Sequence, residues 1–327
     1  MTTATPAPGS PTWMRPLGST GLQVSAVCAG GSPLGSMPRL YGRDVSVDEG
    51  IATAHAVLQS PIRFIDTSNA YSDGESERRI GEAIAASGGL PDGFVVATKV
   101  DPRGRDYSGD RVRASVAESR ERLSLDYLPL VHLHDPENFG FDEMVGPGGA
   151  VDALVGLKES GEVGSIGLAG GRVQEMARYV ALGVFDVLLV HNRWTLLDRS
   201  AGALIAEALC RGMGILNAAV YGGGILAGQG GSGPTTYGYR PAPPEVLEAI
   251  AAMRRACTEH GTDLTTAALQ FSLRDARLSS TVVGMSRPER VEDTVAAASR
   301  PVPEELWGQL ESLLPPEHFW LDAPLKR

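Results

Sequence analysis

Ile62-Arg63-Phe64-Ile65-Asp66-Thr67-Ser68-Asn69-Ala70-Tyr71-Ser72-Asp73-Gly74-Glu75-Ser76-Glu77 contains one complete structural unit. A short apolar run, Ile62 to Ile65, ends in a carboxylate, and a loop of small residues then carries a tyrosine. Glu77, Ile80, Gly81 and Ile84 follow at helical spacing, so the unit reads as strand, loop and helix. An acid closing a strand, with a phenol just beyond it, has the form of an active-site rim. A buried helix cap beside a surface tyrosine is the plainer reading of the same residues.

The unit recurs outward in both directions. Arg15 to Gly21 and the run Leu22 to Val27 read as a short hairpin feeding a first buried strand, Val24–Ala29, which ends at Gly30-Gly31. Further strands are expected at 62–66, 94–99, 128–134, 163–168, 186–191, 214–219 and 280–284. Amphipathic helices are expected at 47–58, 75–86, 109–124, 149–159, 172–181, 200–211, 244–259 and 287–298. The strand runs are rich in Val, Ile and Leu and alternate only weakly, as parallel strands covered by helices do. Eight such units without a composition break fit a closed (β/α)8 TIM barrel better than an open doubly wound sheet. No Gly-x-Gly-x-x-Gly turn follows the first strand, which also weighs against a dinucleotide fold of the doubly wound type. Residues 1–327 read as one barrel domain, with 1–13 a flexible lead-in. A long Gly-rich loop runs from Tyr221 to Pro244 after strand seven, and a helix near Glu304 to Leu313 precedes a tail with Phe319 and Trp320.

Composition removes several function classes. The chain is 43% hydrophobic and 21% charged, enough to bury a sizeable core. A net charge of −10 argues against nucleic acid or an anionic membrane as partner, since both recruit basic patches. Cys28, Cys210 and Cys257 are odd in number and widely spaced. They form neither a disulfide framework nor a metal pattern, and a reducing cytoplasm is expected. No run approaches the ~20 apolar residues that span a bilayer. The stretch Met1 to Pro11 lacks the basic and apolar regions of a signal peptide.

In a barrel the C-terminal ends of the strands face the active site. Three polar residues close strands where apolar ones would otherwise stand: Asp66, Lys99 and His134. Tyr71 lies on the loop after the second strand, within reach of all three. Each alone could be a buried ion pair or a core histidine. His132-Leu133-His134 places two imidazoles on one strand face, an arrangement some hydrolase barrels use for metals. Of the remaining histidines only His191 stands at a strand end, so no metal is expected and His132 reads as core.

These residues resemble the aldo-keto reductase family. The likeness is carried by Arg63 to Ser68, Tyr71, Ser76-Glu77-x-x-Ile80-Gly81, Ala97-Thr98-Lys99-Val100 and Asp126-Tyr127-Leu128 through His134-x-Pro136. It continues in Trp194 to Arg199 and Gly284-x-Ser286-x-Pro288-Glu289, and so covers nearly the whole chain. It implies a catalytic tetrad of Asp66, Tyr71, Lys99 and His134. The physics is consistent with those roles. A phenol has a pKa of about 10, and lowering it by 2–3 units takes roughly 3–4 kcal/mol. An ammonium about 4 Å away supplies roughly that at an effective dielectric near 20. Lys99, held by Asp66, is the expected source, with His134 orienting the reacting oxygen. None of these groups carries a hydride, so a cofactor must, and the resemblance implies that it is NAD(P).

The resemblance places the cofactor against Gly30, Gly31 and Asp66, along Tyr221, Gly222, Gly224 and Leu226, and at Gly284, Ser286 and Arg290. The loop Tyr221-Gly222-Gly223-Gly224 offers bare amides to a pyrophosphate. Ser286-x-x-Glu289 reads as a capping box opening a helix whose N-terminus, beside Arg287 and Arg290, could hold an anion. The family pattern is incomplete. Ala169-Gly170 stands where many members have Ser-Asn, His191-Asn192 where a glutamine is usual, and Gly284 where NADP-preferring members often have lysine. NAD versus NADP is therefore open, as is oligomeric state. The stretches His191 to Asp198, Asn217 to Ala227 and Ala267 to Leu273 look like the branch holding aldose 1-dehydrogenases and pyridoxal 4-dehydrogenase. That likeness implies oxidation of a cyclic hemiacetal, with His191, Asn192, Arg193 and Trp194 available to hydrogen-bond a sugar. Reduction of simple aldehydes, a redox-sensing NAD(P)-binding regulator and a metal-dependent hydrolase are the competing readings.

Overall fold

The structure is a computed structural model that describes residues 6–227, 235–238 and 240–323. Strands β1 (Met14–Pro16) and β2 (Gln23–Ser25) form an antiparallel hairpin. The chain then runs β3 (Val27–Gly30), α1 (Pro38–Tyr41), α2 (Val47–Gln59), β4 (Phe64–Asp66), α3 (Glu75–Ala86), β5 (Val95–Val100), α4 (Gly109–Leu123) and β6 (Leu128–His134). It continues with α5 (Phe141–Val145), α6 (Ala150–Glu159), β7 (Val163–Gly170), α7 (Val173–Ala181), β8 (Val187–His191), α8 (Gly202–Cys210) and β9 (Gly214–Ala218). A small hairpin, β10 (Thr236–Tyr237) and β11 (Arg240–Pro241), leads to α9 (Pro244–Glu259), α10 (Leu264–Leu273), β12 (Ser280–Gly284), α11 (Glu289–Ser299) and α12 (Glu304–Ser312).

Eight parallel strands close in the order β12-β3-β4-β5-β6-β7-β8-β9. Strand parity explains both their sequence and the site. Cys28, Phe64, Val95, Ala97, Leu130, Ala169, Val187, Leu189 and Leu216 point inward and form the barrel interior. Their neighbours Val27, Ile65, Val96, Val131, Ile166, Leu188 and Ile215 point outward and pack under the helices. Both faces are dry, so both are apolar, and each fully buried Val, Leu or Ile contributes about 1.5–3 kcal/mol. The same parity puts Asp66, Lys99, His132 and His134 on the inward face, above Phe64, Ala97 and Leu130. The hairpin closes the opposite end, where Leu17 and Val24 join the interior cluster.

Three expectations change. The single strand expected at Val24–Ala29 divides, because Val24 pairs with Arg15 in the hairpin while Val27 to Gly30 pair with Thr281 to Gly284 in the barrel. Helix α9 is not the seventh crossover. It packs with α12 in a satellite cluster with Leu196, Leu226 and Tyr237, and the unexpected α10 lies beside β12 and α11. A side-chain cap opens α10, where Asp263 Oδ1 accepts from Thr266 N at 2.8 Å, and another opens α4, where Ser108 Oγ accepts from Arg111 N. Ser286, by contrast, caps nothing. Pro288 is the N-cap of α11, and the Ser286 carbonyl accepts from Arg43 Nη1 at 2.9 Å.

Of the lead-in expected to be flexible, residues 1–5 lie outside the described residues. Trp13 is buried and donates from Nε1 to the Pro61 carbonyl at 3.0 Å, which ties this end of the chain to the barrel. Of the long loop after β9, residues 228–234 and 239 lie outside the described residues. Among the described residues no helix is long and apolar enough to cross a membrane.

Candidate active site

At the C-terminal mouth the loop after β4 carries Tyr71. Its backbone is laced to neighbouring strands: Thr67 N donates to Ala97 O at 2.8 Å and Asn69 N to Lys99 O at 3.3 Å. The loop leaves through Ser72, Asp73 and Gly74, all in the left-handed region, with φ of 51°, 55° and 82°. The left-handed φ favours glycine at Gly74, and a Cβ there would displace the Arg122 guanidinium. Arg122 in turn donates to Asn69 O at 3.1 Å and to Glu77, which anchors the loop from α4.

The four predicted residues come together. Lys99 Nζ donates to Asp66 Oδ2 and to the Thr67 carbonyl, both at 2.6 Å, and lies 4.7 Å from the centre of the Tyr71 ring. The Tyr71 and His134 rings meet edge to face at 5.7 Å. Burial works to lower the Lys99 pKa, but Asp66 and Tyr71 together raise it, so the ammonium stays charged. Burial pushes the Asp66 carboxyl up, against the pull of Lys99.

The tuning of Tyr71 departs from expectation. Burial pushes the phenol above its ordinary value, and the Lys99 charge, although it acts downward, does not overcome it. The free site therefore holds a neutral phenol beside an ammonium.

Sequence reasoning missed Asp101. This carboxylate, 4% exposed, lies 2.6 Å through Oδ1 from His134 Nδ1 and accepts through Oδ2 from Ala70 N at 2.9 Å and from the Ser68 hydroxyl. The spacing Lys99-x-Asp101 continues the inward parity of β5 one step past its end, and that was the available signal. His132 lies one layer deeper, fully buried, and its ring fills the space left by Gly167, whose Cβ would overlap it. Burial holds that imidazole well below its ordinary pKa and hence neutral. Among the described residues no group of three or more His, Cys, Asp or Glu is placed to hold a metal.

The expected sugar contacts are mostly committed elsewhere. Asn192 is fully buried with φ of 62°, and Trp194 Nε1 donates to Asp275 at 2.9 Å beneath the stacked Arg277. Arg193 is held by Asp322 of the C-terminal segment at 3.2 Å, where Asp322 also accepts from Val173 N at 2.7 Å. His191 remains at the mouth, its pKa lowered to about 4 by burial. Ala169 faces the interior, and the side-chain space of Gly170 is taken by Glu137 and Met176, so neither position reproduces the usual Ser-Asn contacts.

The predicted cofactor positions stand at or just after the ends of the adjacent strands β9, β12, β3 and β4. Gly30 pairs in register with Gly284 on one side and Asp66 on the other. Gly31 is a packing residue, its amide on Asp66 O at 2.7 Å and its carbonyl receiving the Ser76 hydroxyl at 2.8 Å. Gly222 and Gly224 have φ of 60° and 98°, but their amides are not bare. Those of Gly222, Gly224 and Leu226 donate to Ala219 O and Tyr221 O within the turn. The Leu226 side chain is fully buried in the satellite cluster, which is why that turn is tight. Tyr221, its pKa raised to about 12 by burial, lies within electrostatic reach of Arg290. Gly284 is exposed, and a Cβ there would press on Pro33 at 3.2 Å. A bare strand end, an aromatic ring and a cation in this order fit a nicotinamide dinucleotide. Ser286 offers no helix cap, and its carbonyl accepts from Arg43.

A (β/α)8 barrel with a phenol, an ammonium and an imidazole converging at its C-terminal mouth defines a nicotinamide-dependent carbonyl oxidoreductase. The Aldo/keto reductase family profile matches residues 26–315. L-galactose dehydrogenase of Arabidopsis thaliana is 35% identical over 313 residues, covering 93% of this chain and 94% of that protein. D-threo-aldose 1-dehydrogenase of a Pseudomonas species is 31% identical over 319 residues, covering 89% and 94%. An aldo-keto reductase of Bacillus halodurans, solved in its holo form, superposes with a TM-score of 0.76 at 21% identity, covering 92% of this chain and 96% of that one. The chain belongs to the aldo/keto reductase family and is an NAD(P)-dependent oxidoreductase.

Proposed function

We propose that this enzyme oxidises the anomeric carbon of an aldose, in its cyclic hemiacetal form, to the lactone. The observation that carries the reading is the likeness to two aldose dehydrogenases along nearly the whole chain. NAD(P) supplies the hydride acceptor for C1 when bound. The chain's own residues handle the proton and the oxygen. Tyr71 and His134, edge to face, bracket the position of the anomeric oxygen, which Tyr71 contacts through its hydroxyl. Lys99 favours the phenolate by its charge and is itself kept cationic by Asp66. His191 stands across the mouth as a neutral imidazole able to accept from, or donate to, a sugar hydroxyl.

A panel of aldoses, pyridoxal and simple aldehydes, assayed in both directions with each nicotinamide cofactor, tests the reading. At least one aldose is expected to reduce NAD(P)+ with a lactone as product. Efficient reduction of simple aldehydes, with no aldose or pyridoxal oxidised, would overturn it in favour of a general carbonyl reductase. Pyridoxal oxidised in place of every aldose would move the substrate class within the same chemistry.

A further inference from the structure

We propose that Asp101 is a positioning residue for the reaction at Tyr71: from beneath the Tyr71 loop it grips Nδ1 of His134 and so fixes which way Nε2 faces. The inference rests on the reading that the reacting oxygen sits between Tyr71 and His134.

A buried carboxylate needs hydrogen bonds and an opposite charge. Asp101 finds them in the Ala70 amide, the Ser68 hydroxyl and the His134 ring. One carboxylate thus holds both partners of the reaction, since Ala70 is the residue preceding Tyr71. The backbones beneath are also pinned. The Tyr107 hydroxyl, buried, lies 2.6 Å from Val100 O and accepts from His134 N at 3.0 Å, tying the end of β5 to the end of β6. Asp101 N donates to Ser115 Oγ of α4 at 3.2 Å. With Nδ1 engaged at 2.6 Å, Nε2 is the nitrogen left for substrate, and it takes no partner among the described residues.

The charges around the ring set its proton. Burial alone would lower the His134 pKa, but the charge and hydrogen bond of Asp101, with Asp135 beside it, outweigh burial and raise it. Lys99 opposes from β5. His132 and His191 face the ring from β6 and β8, and Asp66 from β4. Asp101 itself, which burial alone would raise, is held below the ordinary carboxylate range, chiefly by His134 and then Ser68. The consequence has a direction. Below the His134 pKa the ring is an imidazolium, and Nε2–H donates to a carbonyl oxygen, as reduction requires. Above it the ring is neutral, its one proton stays on Nδ1 and is donated to Asp101, and Nε2 can no longer donate to the carbonyl oxygen.

Asp101→Asn tests this. The His134 ring is titrated by NMR in the cofactor-free protein, and the pH dependence of kcat is measured for reduction of a simple aldehyde. The His134 midpoint is expected to move to lower pH and the alkaline limb of reductive kcat to move with it. At neutral pH kcat should fall at least about tenfold while cofactor affinity holds. A midpoint that does not move, or a kcat loss with an unmoved limb, overturns the assignment. Should Asp101→Asn fail to fold, Ser68→Ala keeps the charge and removes one of its donors. Because the same hydroxyl also lies 3.3 Å from His134 Nδ1, the variant should move the His134 midpoint, and no movement there also overturns the proposal. If aldoses do not react but aldehydes do, the substrate reading falls and Asp101 is still decided by these shifts.

Discussion

At the residue scale, the site is a set of charges removed from water and made to depend on one another. Lys99 and Asp66, 2.6 Å apart and almost wholly buried, are each tolerable only with the other in place. Lys99→Met should therefore abolish turnover and also cost about 3–5 kcal/mol of stability, read by urea unfolding, because Asp66 is left buried without its counter-charge. Adding Asp66→Asn should restore much of the stability and none of the activity. Tyr71→Phe should abolish turnover with cofactor affinity nearly unchanged, and more than a few per cent residual activity would count against Tyr71 as the proton carrier. Because burial raises the phenol, oxidation should speed up as pH rises, as more of Tyr71 becomes phenolate, while reduction, which needs the phenol, should not. A pH–kcat profile in each direction checks the sign.

At the element scale, close approach of helices sets the loop that carries Tyr71. A Cβ on Gly81 of α3 would overlap the Arg122 carbonyl of α4, and backbone cannot swing aside as a side chain can. Gly81→Ala should cost about 1–3 kcal/mol and lower kcat, since Arg122 holds Asn69 O at 3.1 Å. Gly156, exposed on α6 with nothing within 4 Å of its would-be Cβ, is the contrasting case. Gly156→Ala should stabilise by up to about 1 kcal/mol through helix propensity, with activity unaltered. Thermal unfolding of the two variants side by side should show opposite signs.

At the scale of the whole molecule, the mouth proposed for the cofactor draws on segments far apart in the chain. Tyr221 follows β9, Arg290 opens α11, and Arg43 from the loop after α1 reaches across to Ser286 O. Arg290→Ala should weaken NADP(H) more than NAD(H), in a titration of cofactor fluorescence, if the guanidinium meets the 2′-phosphate. Equal weakening of both would assign it to holding the helix. The C-terminal segment packs on the loop after β8, where Leu321 N donates to Asp198 Oδ2 at 2.8 Å and Asp322 clasps Arg193.

How much of this was legible follows from the range of the forces involved. Strand parity is a period of two and helix facing a period of 3.6, so which residues of each run point inward could be read locally. Asp66, Lys99 and His134 were legible on that basis, and so were the eight barrel strands. Tertiary structure decided whatever needed two distant segments at once. It split Val24 from Val27 between hairpin and barrel, chose α10 over α9 as the crossover, and buried Leu226 against α9 and α12. It turned Ser286 from a cap into an acceptor for Arg43. It also raised the Tyr71 phenol, because desolvation depends on everything packed around a group and not on the one neighbour a sequence names. Asp101 is the clearest division: its presence is local, but its meeting with His134, 33 positions along the chain, exists only once β5 and β6 lie side by side.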